Sequence, residues 1–453
     1  MCARNDEMAS SDDLQINTDS LTQPQEQQQR YEQEEPLLHE SHSELDHALH
    51  GLEQFLGFLG FYQSPITNIL FSWLVFLALG LAVPVITLKA SQCSGCSQIQ
   101  ILKFEVFLLV SQSSLAAVSL ICVSHNLRKY GIRKFIFVDR YHGQMLRFHK
   151  EYVTKIRGVF SLLIWLILPC LLVKTIHEVL RISSIPHVVW WKAAAILFGV
   201  VISWTYLTAI FLSSCVLFNL VCNLQVIHFE DYGKLLERDL DVLVFLKEHL
   251  RLCYQLSKIS HRFRIYLLLA LLVVTASQSW SLFQTTGYTR TVNFINAGDL
   301  AVSSVVQVVG IILCLQAATR ISHRAQGISS VACKWHALVT CTSTDMTLPS
   351  GTDNAENLEA DPAGLFLGSE LGSELESDLE SVNDITLPTP IQIATYLSSY
   401  HKRQALVMYL QSNPGGITLF GWTVDRALIN TIFVIELTLV LWVLGKTIIS
   451  TST

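Results

Sequence analysis

The chain has 453 residues, of which 51% are hydrophobic and only 15% charged, with a formal net charge of −6. A soluble protein of ordinary composition carries about a quarter of its residues as Asp, Glu, Lys and Arg, so a water-soluble globular class is excluded. The polar, acidic start over 1–33 also excludes a cleavable leader, which needs a basic start and an early apolar core; the first apolar run is expected to do the targeting itself.

Residues 1–46 are rich in Gln, Glu, Asp and Ser with almost no aromatics, the composition of a disordered cytosolic tail. Over 47–62, Leu49, Leu52, Phe55, Leu56, Leu59 and Phe61 recur at helical spacing, which predicts an amphipathic helix on the inner membrane face. Apolar runs follow at 66–88, 104–123, 158–180, 193–218, 265–284, 299–319 and 424–449. Each is long enough to cross a hydrocarbon core of about 30 Å as helix. Helix is required, because lipid offers no partner to backbone N–H and C=O groups. The sixth run is the most polar, with Ser303, Ser304 and Gln307. Without it the count would be six and the two chain ends would lie on one side.

Basic residues set the orientation. The loop between runs two and three holds nine, Arg128 to Arg157; that between four and five holds six, Lys234 to Arg262; and three follow run six, Arg320, Arg324 and Lys334. The alternate loops hold two, two and one. The expectation is an all-α membrane protein with seven spans, N-terminus cytosolic and C-terminus outside, the reverse of a G-protein-coupled receptor. Spans one to six then occupy 63–342, with cytosolic helical extensions over about 219–264 and 320–342, where leucines recur among charges. The acidic, Gly- and Ser-dotted stretch 343–390 reads as a disordered cytosolic insertion. An amphipathic helix at 391–413 is closed by Asn413-Pro414-Gly415-Gly416, and 414–453 holds the seventh span and a short outer tail.

No catalytic constellation is present: the sequence has no phosphate-cradling glycine loop, no HExxH and no nucleophile elbow, so an enzyme is not expected. No cofactor or metal site is expected, and no pattern of interleaved aromatics and bases points to nucleic acid. Cys93 and Cys96 share an outward loop, as two thiols or a local disulfide. In the last run, Thr431, Thr438 and Gly445 stand seven apart and so drift by only about 20° per step. Trp442 lies about 40° from Thr438 at about 100° per residue. Two arrangements fit that stripe, the lining of a pore or a small-residue seam between two helices. Glu436 lies about 160° from Thr438, which suits a carboxylate held against a neighbouring span rather than a selectivity ring. A ligand pocket open to the outside would draw on Lys174, His177, Glu178, Trp204, Tyr206, Gln278, Trp280 and Gln307.

The segment from Gly415, GGITLFGWTVDR, followed by an apolar run to Thr438, resembles the closing pattern of insect gustatory and odorant receptors. The threonine and apolar run of that pattern are kept; its tyrosine, glutamine and phenylalanine are not. The Glu35-Pro36-Leu37-Leu38 start, Leu59-Gly60-Phe61 with Gln63, and the closing segment are more similar to plant gustatory-receptor-like proteins, over most of 35–449. The resemblance implies a homotetrameric, ligand-gated cation channel of seven spans. It also implies a cytosolic anchor domain built from helical extensions and the helix at 391–413. The last span of each subunit would line the pore through Thr431, Thr438, Trp442 and Gly445. The partners implied are the lipid bilayer, other copies of the chain, permeant cations and an unidentified small molecule, at the plasma membrane or an endomembrane. The rival class is a secondary transporter or a non-conducting receptor or scaffold.

Overall fold

In the computed structural model the described residues are 44–63, 66–90, 99–137, 149–183, 190–236, 241–287, 294–345, 390–419, 422–424 and 426–452. Nearly all of the polar tail, most of the acidic insertion, Cys93, Cys96 and Asp425 lie outside them. The described chain is helical apart from one small hairpin. α1 (44–58) leads into α2 (Ile66–Leu77), which continues through a π-helical turn, Ala78–Ala82, into α3 (Val83–Ala90). Then come α4 (Ile99–Ile136), α5 (His149–Ser183), α6 (Trp190–Leu235), α7 (Val242–Gly287) and α8 (Phe294–Asp345). α9 (Pro390–Ser412) is followed by the antiparallel pair β1 (Thr418–Leu419) and β2 (Trp422–Thr423), then α10 (Arg426–Ser452).

Six helices among the described residues are long and apolar enough to cross a membrane, within Ile66–Lys89, Glu105–Ile136, Lys150–Ser183, Trp190–Leu235, Val242–Phe283 and Gly298–Cys341. Their exposure differs in an informative way. The most apolar stretch of α8 is 61% buried, whereas that of α5 is 17% buried and shows Ile164, Trp165, Leu168 and Leu172 outward. An apolar surface of that extent has to meet lipid or another chain. The run that is most polar in sequence is therefore the best buried, because its serines and glutamine face other helices.

The chain divides into two compact units. The first comprises residues to Ile227, Gln255–Ser322 and Ile417 onward; the second comprises His228–Tyr254 and His323–Gly416. In the first unit, the α1 leucines 45, 49, 52 and 56 are buried to 3% exposure or less, so this apolar stripe packs on protein rather than entering lipid. Asp46 pairs with Arg133 at 2.8 Å, and Phe55 meets Phe160 edge-on at 5.5 Å. The turn after α1 depends on Gly60, whose φ of 88° favours glycine. Ser72 Oγ donates to Gly60 O at 2.7 Å, and Gln63 Nε2 donates to both Gly60 O and Ser72 Oγ at 3.4 Å. The Leu-Gly-Phe-x-Gln signature is thus a clamp tying the end of α1 to the first turns of α2.

The π-helical turn also has a traceable cause. Val83 N–H bonds to Ala78 O, five residues back, so in this register the next donor would serve Leu79 O. That next residue is Pro84, which has no N–H. Ser203 Oγ of α6 donates to Leu79 O instead at 2.6 Å, and Ser113 Oγ of α4 donates to Gly80 O at 3.2 Å. Close packing recurs at Gly310 of α8, where an added Cβ would collide with the Phe211 ring of α6 and meet Cys215 Sγ at 3.2 Å.

The second unit is held by aromatic contacts. Phe245 meets Trp335 at 5.4 Å between ring centroids, His249 meets Tyr409 at 5.7 Å, and His336 meets Tyr400 at 5.1 Å. Tyr232 Oη donates to Phe245 O at 3.1 Å, and Arg324 pairs with Glu230 at 3.0 Å. α9 enters this unit through Leu406, Val407 and Leu410, its buried residues.

Candidate functional site

Two features of the first unit bear on function: a buried cluster of charges beside a cavity, and the last helix. The cluster starts on α5, where Lys174, His177, Glu178 and Arg181 share one face at spacings of three and four. Lys174 Nζ donates to Glu178 Oε1 at 2.8 Å and to the Asp299 carboxylate of α8. Arg181 reaches Glu105 of α4 at 2.7 Å and Glu178 at 3.2 Å. Lys174 and Glu178 are only 2% and 1% exposed. Three helices are thereby tied by alternating charges where lone ions would be very costly.

His177, Glu178 and Asp299 have their ligand-type atoms within 4.8 Å of one another, a spacing a metal could use. The Lys174 ammonium bonds to both of those carboxylates and supplies the positive charge a metal ion would bring, so the donor set does not favour a metal.

Beside the cluster lies a cavity of about 70 Å³, lined by Glu105, Lys174, Glu178, Arg181 and Asp299 together with Gln112, Thr87, Ser203 and Trp204. A polar seam continues from it between helices. Gln112 Nε2 donates to Ser303 Oγ, Gln307 Nε2 donates to Ser111 Oγ at 3.2 Å, and Ser111 Oγ donates to Ser277 Oγ at 2.7 Å. Of the residues the sequence singled out for a pocket, Lys174, Glu178 and Trp204 line this cavity, and His177 stands beside it against Gly298. Gln307 lies on the seam. Tyr206, Gln278 and Trp280 are not among the lining residues; Gln278 is fully buried, and Trp280 stacks on Phe107 at 5.3 Å and on Phe283 at 5.9 Å. Glu105, Arg181 and Asp299 were not foreseen from sequence. Their signal was charge at matching depth, since Glu105 and Asp299 open runs two and six while Arg181 closes run three.

The last helix is entered through the hairpin. Ile417 N–H donates to Ser322 Oγ of α8 at 3.1 Å, Thr418 N–H donates to Ser260 Oγ of α7 at 3.2 Å, and Val424 N–H returns to Ile417 O at 2.8 Å. α10 then packs through one narrow stripe, on which Glu436 and Val440 are buried. Ile429, Ile432 and Leu439 are partly buried beside it, and Leu428, Phe433, Val434, Ile435, Leu437 and Leu441 are exposed. Thr431 and Thr438 are exposed too, and their hydroxyls bond back to Ala427 O and Val434 O within the helix. Trp442 is half-buried against Leu108 and Leu300, and no described residue lies within 4 Å of a Cβ built on Gly445. Leu108 lines the charged cavity and Leu300 adjoins Asp299, so the cavity wall and the last helix share a contact.

A family model described as "Protein of unknown function (DUF3537)" matches residues 47–435. The chain belongs to this family. No curated protein matches this DUF3537 chain. Among solved structures it is similar to the insect olfactory receptor OR5 from Machilis hrabei, at 12% identity and a TM-score of 0.50 over 87% of this chain and 97% of that one. The same receptor in complex with eugenol aligns at 13% identity and a TM-score of 0.49, over 88% and 98% of the two chains. At such identities the likeness is one of fold. The DUF3537 chain is an integral, multi-pass α-helical membrane protein with an insect-olfactory-receptor-like fold.

Proposed function

We propose that this DUF3537 protein is a subunit of a homotetrameric, ligand-gated cation channel of the insect-chemoreceptor type. α10 is the seventh span and lines the pore, with the N-terminus in the cytosol and the C-terminus outside. On this reading it is kin to the plant gustatory-receptor-like family and acts at the plasma membrane. The observation that carries the proposal is the exposure of α10. Where its side chains are described, this 27-residue apolar helix packs on its own chain through one stripe and leaves an apolar surface for lipid or other copies of the chain to cover. Thr431 and Thr438, opposite Glu436, put hydroxyls on such a face, and threonines facing a shared axis offer oxygens to a passing cation. The fold shared with an insect olfactory receptor is consistent with a receptor role.

Glu436 has both carboxylate oxygens buried without a hydrogen-bond partner among the described residues. It belongs to the packing stripe and not to the pore face. The acidic tail, the insertion and the anchor role of the second unit complete the plan. A secondary transporter is the second reading, favoured by the intramembrane ion pairs of Lys174, which are typical of coupled transport pathways. Purified protein in planar bilayers separates the two. Unitary current steps at fixed voltage support the channel, and solute uptake without steps supports the transporter.

A further inference from the structure

In the buried cluster, Glu105, Glu178 and Asp299 bring three carboxylates against two permanent cations, Lys174 and Arg181, each shared between two acids, with His177 beside Glu178 and Asp299. Glu105 and Asp299, which each form one of these ion pairs where Glu178 forms two, are also the more accessible, at 20% and 15% against 1% for Glu178. All three line the cavity, and so does the indole of Trp204, which is itself 4% exposed. A surplus carboxylate away from bulk water calls for a positive charge, and an aromatic wall favours an organic cation through its ring quadrupole. We propose that the cavity binds a small organic ammonium ion, with Glu105 and Asp299 as counter-charges and Trp204 as the apolar wall.

The size follows from the volume. The cavity measures about 70 Å³, and one water needs about 10–15 Å³ on this measure. A ligand of about five non-hydrogen atoms therefore fits, which suits a simple primary amine. This inference rests on the reading of the cavity as the receptor's ligand site and adds the class of ligand. It also gives binding a route to the last helix, because Leu108 and Leu300 touch both the cavity surroundings and Trp442.

The test uses the full chain purified in detergent, with isobutylammonium chloride as the amine, isobutanol as its neutral counterpart and sodium chloride at matched ionic strength. Thermal unfolding midpoints are followed against concentration. The expected result is a saturable rise with the amine and none with the other two. Losing one charge-assisted contact weakens binding by about ten-fold or more, so Asp299→Asn and Glu105→Gln should each show at least that. Either variant suffices where the other fails to fold. Equal stabilisation by isobutanol, full reproduction by sodium chloride, or no saturable rise with the amine each overturns the proposal. A saturable amine effect in protein that carries no current removes the channel reading and leaves this one standing. Current in protein that ignores the amine in both assays does the reverse.

Discussion

Replacing Lys174 by methionine keeps an unbranched side chain one atom shorter and deletes its charge. Lys174 is 2% exposed and bonds to Glu178, itself 1% exposed, and to Asp299. Removing one partner of a buried ion pair costs about 3–5 kcal/mol, since it leaves an uncompensated charge. Arg181 still lies 3.2 Å from Glu178 in the variant, so the burden falls on Asp299 and the loss should sit near 3 kcal/mol. That is about a hundred-fold in the folding equilibrium, a large share of a typical stability of about 5–15 kcal/mol. Equilibrium unfolding in mixed micelles, titrated with sodium dodecyl sulfate and read by circular dichroism, measures it. The companion is Lys174→Met/Asp299→Asn, in which the orphaned carboxylate is neutralised as well. The double variant should recover at least about 1 kcal/mol relative to the sum of the two single changes, as coupled neighbours do. Strict additivity, or a Lys174→Met protein as stable as wild type, would refute the claim that the cluster ties α5 to α8.

Three further outcomes follow from the geometry. Gly60→Ala forces a side chain into a φ of 88° and sets its Cβ 2.5 Å from Ser72 Oγ; a loss of about 2 kcal/mol or more is expected in the same titration, from left-handed strain and a displaced hydrogen bond. Ser260→Ala removes the acceptor of the Thr418 amide, and Ser322→Ala that of Ile417. Hydrogen exchange at the hairpin should then accelerate by about five-fold, for about 1 kcal/mol per bond, with α4 and α5 unchanged. Thr438→Trp adds bulk to an exposed position of α10, so stability should stay within about 0.5 kcal/mol of wild type. Its unitary current in planar bilayers should fall, and an unchanged current would remove Thr438 from the pore.

How much of this was legible in the sequence varies by level. The apolar runs foretold the long helices because span length is set by the bilayer and leaves a composition signal that no tertiary contact is needed to read. Lys174 and Glu178 could be paired in advance because a spacing of four fixes their neighbourhood on one helix. Asp299 and Glu105 could not, since their approach to α5 depends on how three helices dock and in what register. The same limit hid the roles of Ser260 and Ser322, which read as unremarkable polar residues until the hairpin is laid beside them. α1 shows a different limit. Its amphipathic stripe has the same sequence signature whether it meets lipid or protein, and Leu52 and Leu56 pack on protein. The π-helical turn was half-visible in Pro84, but the donors that serve Leu79 O and Gly80 O come from α6 and α4.

The proposed pore-forming role of α10 requires several copies of the chain around one axis. The native mass of the protein released from mild detergent therefore tests the account most directly. Four copies of a 50.8 kDa chain give a particle of about 203 kDa, and the account predicts that species. A particle of 50.8 kDa, stable across detergents and lipids, would contradict it.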